Sequence, residues 1–80
     1  MTGDELRKAR VKLGQLWGLP RPIHASELGR ALQLSPSDPG ESIRHYEKHR
    51  TGGVPGPIAV AVTMMLAGAL PPGGVPATKA

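Results

Sequence analysis

The chain has no cysteine and no phenylalanine, and only one tryptophan and one tyrosine among its 80 residues. Without cysteine there is no disulfide framework, no thiolate zinc site and no thiol nucleophile. With so few aromatics the core has to be built from Leu, Ile, Val, Ala and Met, and the stacking platforms of single-stranded nucleic-acid binders are missing. Acidic residues are also scarce, six against ten Lys and Arg for a net charge of +4. The resulting pI near 10.1 favours polyanionic partners. A long apolar run is absent as well. The best stretch, residues 58–70, makes roughly 20 Å of helix where a membrane span needs ~20 residues, so it reads as core or interface. The N-terminus is charged from Asp4 to Lys12 with no apolar stretch behind it, so no secretory signal is evident and a cytoplasmic protein is expected.

What is present is enough for one small domain. A thin core in a short chain is commonly offset by packing against a second copy. Glycine (11) and proline (9) together form a quarter of the chain, yet they are concentrated at intervals and read as punctuation. Internal repeats and strand-period alternation are both absent, and the expected class is all-α.

Four helices are expected. Thr2-Gly3-Asp4-Glu5 is a capping box that opens the first at about Gly3. Leu6, Ala9, Leu13 and then Leu16 and Trp17 fall on one of its faces, and Gly14 or Gly18 ends it before Pro20-Arg21-Pro22. The second runs from His24 or Ala25 to about Gln33, with Leu28, Ala31 and Leu32 inward and Ser26, Glu27 and Arg30 outward. Ser35-Pro36-Ser37 breaks it. Asp38-Pro39-Gly40-Glu41 reads as a capping Asp followed by proline at the first helical position, opening a third helix that ends near His49. On that helix Ile43, Tyr46 and Glu47 share one side, and Glu41, Arg44, His45 and Lys48 the other. The fourth spans about 57–70 and has two apolar stripes, Ile58, Val62, Met65 and Ala69 against Val60, Met64 and Ala67. A helix this apolar has to be covered on both sides, and the second stripe argues for a homodimer. Which stripe is core and which is dimer interface is open in the sequence. Residues 71–80 read as a flexible tail.

Short helices joined by a tight break, the later one carrying outward Arg, His and Lys, are the layout of a helix-turn-helix DNA reader. Over residues 2–70 the chain also resembles the Xre/Cro-type, lambda-repressor-like regulators of bacteria, phages and mobile elements. Thr2, Glu5, Leu6, Arg10, Leu13 and Gly14 are similar to that family's opening helix. Glu27, Leu28, Arg30, Leu32 and Ser35 are in step with its second helix, and Ile43, Tyr46 and Glu47 with its recognition helix. Val54-Pro55-Gly56-Pro57-Ile58 looks like the lead-in to its fourth. The chain departs from the family by extra residues around 15–22 and 36–39, by Ala25 where a phosphate-contacting Gln is usual, and by Gln33 in place of the turn glycine.

On the outward face of the third helix Arg44 can fork onto guanine O6 and N7. His45 and Lys48 can donate to bases or phosphates, Glu41 can accept from cytosine N4, and Ser42 flanks them. A solvated helix face would carry the same residue types. The resemblance implies phosphate contacts at Arg50 and Thr51 and an ion pair between Arg10 and Glu47 that ties the first helix to the third. It further implies a homodimeric repressor, acting on a two-fold symmetric operator such as its own promoter in a phage or conjugative element. Arg7, Lys8, Lys12 and Arg21 either extend the phosphate footprint or are ordinary surface charge. Trp17 is expected over the core edge.

Other chemistries are weaker. His45 and His49, four apart with Glu41 a turn earlier and His24 as a possible companion, lack a third ligand at a diagnostic spacing, so no metal is expected. No nucleophile elbow and no phosphate-binding loop is present, so neither enzymatic activity, a cofactor nor a small-molecule ligand is expected. The expected partners are double-stranded DNA and a second copy of the chain, with no membrane. The rival reading is a protein-interaction module, antitoxin-like or antiactivator, that uses the apolar fourth helix to hold a different chain.

Overall fold

Every early amide of the first helix finds an acceptor, and the way it does so organises the molecule. The computed structural model describes residues 1–34 and 37–75. Within them α1 is Gly3–Leu16, α2 Ala25–Ala31, α3 Glu41–Lys48 and α4 Gly56–Leu66. The Thr2 amide donates to Glu5 Oε1 at 2.8 Å and the Glu5 amide to Thr2 Oγ1 at 3.2 Å, the reciprocal cap its sequence requires. The two amides between them donate outside the helix, Gly3 to the Gly52 carbonyl at 3.2 Å and Asp4 to the Arg50 carbonyl at 3.0 Å. Val54 returns a bond to the Met1 carbonyl at 2.8 Å. The orphan donors of a helix start thereby tie the N-terminus to the segment that follows α3. Glycine is required here, because a Cβ on Gly3 would collide with the backbone carbonyl of Tyr46.

α1 lies at the centre, packed on α3 along one side and on α4 along the other, while α2 packs on α3. Leu6, Leu13, Ile23, Leu28, Ile43 and Val62 are fully buried, with Trp17, Leu32, Tyr46, Ile58 and Leu66 packed around them. Among the described residues the result is a small all-α bundle of four helices. Among the described residues no helix is long and apolar enough to cross a membrane.

Several boundaries differ from those the sequence suggests. For α1 the second of its two expected stops holds, since the helix continues past Gly14 and is closed by Gly18 at φ 75°. α2 ends at Ala31 rather than near Gln33, and Gln33 itself takes a left-handed φ of 58°. α3 starts at Glu41 with Gly40 at the cap position. Asp38 does not cap it with its side chain, because Pro39-Gly40 make a turn in which the Glu41 amide bonds to the Asp38 carbonyl at 3.1 Å. α4 stops at Leu66, since Gly68 turns the chain at φ 107°, and this takes Ala69 off the core stripe and leaves it exposed.

The first part of the expected flexible tail is docked. Pro71 is buried, and the Gly73 amide donates at 2.8 Å to the carbonyl of Ala31, which the end of α2 would otherwise leave without a partner. The break at Ser35-Pro36 and the last five tail residues, 76–80, lie outside the described residues.

Candidate nucleic-acid interface

The outward face of α3 is built by what holds its inward face. Ile43 is fully buried, Tyr46 packs against the core, and Glu47 turns toward α1. Glu47 Oε2 accepts from Arg10 Nε at 2.7 Å and Oε1 from Nη2 at 2.6 Å, while Arg10 Nη1 donates to the Ile23 carbonyl at 3.0 Å. The pair is partly rather than wholly buried, with side-chain exposures of 19% and 12%. One guanidinium thus joins α1, the segment before α2, and α3, in the fork geometry that suits Arg and carboxylate.

Two close approaches set α2 against α3. A Cβ on Gly29 would strike the Pro39 carbonyl, and one on Gly40 would come within 2.9 Å of the Ser26 backbone nitrogen. Only residues without a side chain let the two helices approach this closely. With α3 held in this way, Glu41, Arg44, His45 and Lys48 are all exposed on one side, Ser42 is half-buried at its edge, and Arg50 and Thr51 follow exposed beyond the helix. The His45 ring meets those of Tyr46 and His49 edge-on, with centroids 5.9 and 5.1 Å apart.

Two of these cations are already engaged. Arg44 Nη2 donates to both carboxylate oxygens of Asp38, at 2.9 Å each. Arg50 reaches Asp4 at the start of α1, with Nε and Nη2 at 3.2 and 3.4 Å from its oxygens. That hydrogen bond holds the Asp4 carboxyl below its usual range and raises the Arg50 guanidinium. Glu5 is likewise held low, chiefly by the Thr2 amide. Arg7, Lys8 and Lys12 are exposed along α1.

Arg21 and Glu27 play other parts than their sequence positions suggest. Arg21 Nη1 and Nη2 bond the two oxygens of Glu27 at 2.7 and 3.0 Å. Glu27 also accepts from the His24 amide at 2.7 Å, closing the start of α2. The Arg21 hydrogen bond, ahead of the His24 amide, holds the Glu27 carboxyl down at about 2. Arg21 is therefore a clamp for the loop between α1 and α2, and Glu27 is not a free outward side chain.

On α4 the two stripes are resolved. Val62 and Met65 are buried, whereas Val60 and Met64 are 60% and 56% exposed, and Ala67 is exposed at the helix end. Leu16 at the end of α1, 52% exposed, shares a groove with Leu66, Lys12 and Gln15. Leu16 is open, although its helical position predicts burial. The contact of Asp38 with Arg44 is not visible in the sequence: a six-residue separation is not a helical spacing, and only the Pro39-Gly40 turn brings the two together.

Compared with protein-family models, with curated proteins and with solved structures, the chain finds no match.

Proposed function

We infer that this chain binds duplex DNA in a sequence-specific way and regulates transcription as a homodimeric repressor of the Xre/Cro-like helix-turn-helix kind, in the cytoplasm and without catalysis. The observation that carries the reading is the outward face of α3. Arg44, His45, Lys48 and Glu41 stand together there on a helix clamped from behind by Arg10, Glu47 and the two glycine contacts. These are side chains of the types that read base edges in the major groove, on a helix whose inner face is braced so that the outer face is held in one arrangement. Arg50 and Thr51 lie where phosphates would flank that helix. Arg7 and Lys8 follow Asp4 on α1 and are exposed. All six acidic and nine of the ten basic residues precede Thr51, so the charge belongs to this half and not to α4.

The uncharged, exposed stripe Val60, Met64 and Ala67 supports a second copy as its cover. A two-fold dimer through α4 would set the two α3 helices about one DNA turn apart, which calls for half-sites ~10 bp apart or a multiple. The test is selection from a pool of random-sequence duplexes, followed by mobility shifts with Arg44→Ala and His45→Ala. Enrichment of a symmetric site, lost preference in the variants and steep weakening with salt are expected. A pool with nothing enriched, or unchanged preference in both variants, removes the reading.

The same apolar stripe also favours the second reading, an antitoxin-like or antiactivator module holding a different chain through α4. A monomer in sedimentation that ignores DNA but forms a stoichiometric complex with another protein would select it.

A further inference from the structure

Asp38 stands in the turn before α3 with its carboxylate on Arg44, and this pair is more than a surface ornament. Arg44 Nη2 is held by both Asp38 oxygens at 2.9 Å. Nη1 of the same guanidinium lies over Gly40, 2.6 Å from where a Cβ would stand. The head group is thus fixed at one nitrogen by a carboxylate and given room at the other by a residue without a side chain. Both partners are about half exposed, 56% and 47%, and pairs of that kind contribute little to folding. An arginine that docks on a ligand does, however, lose much rotamer freedom, and ordering it beforehand reduces that loss.

We propose that Asp38 is a positioning residue that presents Arg44 to a guanine, so that selectivity at one base pair depends on a turn residue outside the recognition helix. This rests on the duplex-DNA reading above. Nη2 carries two hydrogens. In the bound state one stays on Asp38, and the other joins one from Nη1 in two parallel bonds to guanine O6 and N7. The carboxylate also opposes the wrong partners. Beside a phosphate, or a base without both acceptors, its charge offsets that of Arg44, so the pair is a poor general cation and a selective fork.

The experiment uses a duplex selected by the wild-type protein from a random-sequence pool, variants of it with each G·C pair replaced, and an unrelated duplex. Binding is measured for the wild type, D38N, D38A, R44A and the D38A/R44A double variant. D38N keeps the size of the side chain and the backbone bond of the turn, and serves where D38A does not fold. Both Asp38 variants are expected to lose discrimination at one G·C pair roughly three- to tenfold. Binding to the unrelated duplex should be equal or tighter, and D38A should add nothing to R44A. Wild-type discrimination in D38N and D38A at every G·C pair overturns the role of Asp38 alone, as does an equal loss in the R44A background. A pool in which no duplex is enriched overturns the DNA reading and this role together.

Discussion

Arg10 and Glu47, 37 residues apart, meet through two hydrogen bonds of 2.7 and 2.6 Å, and the remaining Nη1 of Arg10 closes on the Ile23 carbonyl. Removing Glu47 leaves a guanidinium at the junction of α1 and α3 with only the Ile23 carbonyl as partner and its charge unmatched. Breaking a fully buried pair costs about 3–5 kcal/mol. Some water reaches this one, so Glu47→Ala is expected to lose about 2–4 kcal/mol in urea unfolding, and E47Q less. A loss under about 1 kcal/mol for E47A would remove the pair from the account of how α3 is held.

The Arg21 and Glu27 pair should appear in the pH dependence of stability. Glu27 is held at about 2, below its ordinary 4.5, so the folded state binds its proton less readily than the unfolded chain does. Its contribution is complete above about 4.5 and is lost as the pH falls toward about 2. Arg21 is 38% exposed, so solvent screening reduces the contribution to about 1 kcal/mol. Unfolding at pH 7, 4.5, 3 and 2 should show a shallower acid decline in E27Q than in the wild type. Superimposable profiles would show that the clamp contributes nothing.

Gly29 faces the Pro39 carbonyl so closely that a methyl group has to push α2 and α3 apart. Gly29→Ala is expected to cost about 2–3 kcal/mol or more. Gly53 has no atom beyond its chain neighbours within 4 Å of its Cβ position and no left-handed φ, so G53A should be neutral or stabilising by up to about 1 kcal/mol. Thermal unfolding of the two variants side by side checks the contrast, and equal behaviour would refute it.

Gln33 holds φ 58°, a conformation that L side chains adopt at a cost. Glycine adopts it freely, so Q33G is expected to stabilise the protein by about 0.5–1 kcal/mol, less what the unfolded chain gains in freedom. A destabilised Q33G would mean that the Gln33 side chain makes a contribution of its own.

Val60 and Met64 stand in water on the isolated chain, so charging them should leave folding intact while preventing association. V60K/M64K is expected to keep the helical content of the wild type by circular dichroism, to melt lower by the amount that association contributes, and to sediment as a monomer where the wild type is a dimer. A wild type that is itself monomeric at high concentration would leave that stripe without the assigned cover.

Local signals were readable wherever the partner lay within one turn. The Thr2 and Glu5 box, the inward set Ile43, Tyr46 and Glu47, and the two stripes of α4 all follow from helical spacing. Pairing Arg10 with Glu47 required the family likeness, because no periodicity relates residues so far apart. What failed did so for a common reason: the course of a loop is not written in periodicity. Glu27 faces out by its helical angle, but the loop after α1 swings Arg21 back over it. Asp38 has the residue type of a cap, but the turn at Pro39 and Gly40 moves the helix start past it and turns the carboxylate to Arg44. Glycine and proline in residues 71–74 look like a tail, yet it is the absence of a side chain at Gly73 that lets the chain lie on the end of α2.

The bonds from Gly3 and Asp4 to the carbonyls of Gly52 and Arg50 also bear on the order in which the molecule comes into being. Of the four helices α1 is synthesised first and, taken alone, is too short to persist in water. Its first turn is completed by groups that leave the ribosome after the whole of α3, and closing that large loop is a slow, non-local step beside the formation of any single helix. Folding of these helices is therefore expected to be one cooperative event that waits for the segment after α3, rather than a progression from α1 onward. A nascent chain that stops at His49 already contains Glu41, Arg44, His45 and Lys48, yet lacks the two carbonyls that complete the start of α1.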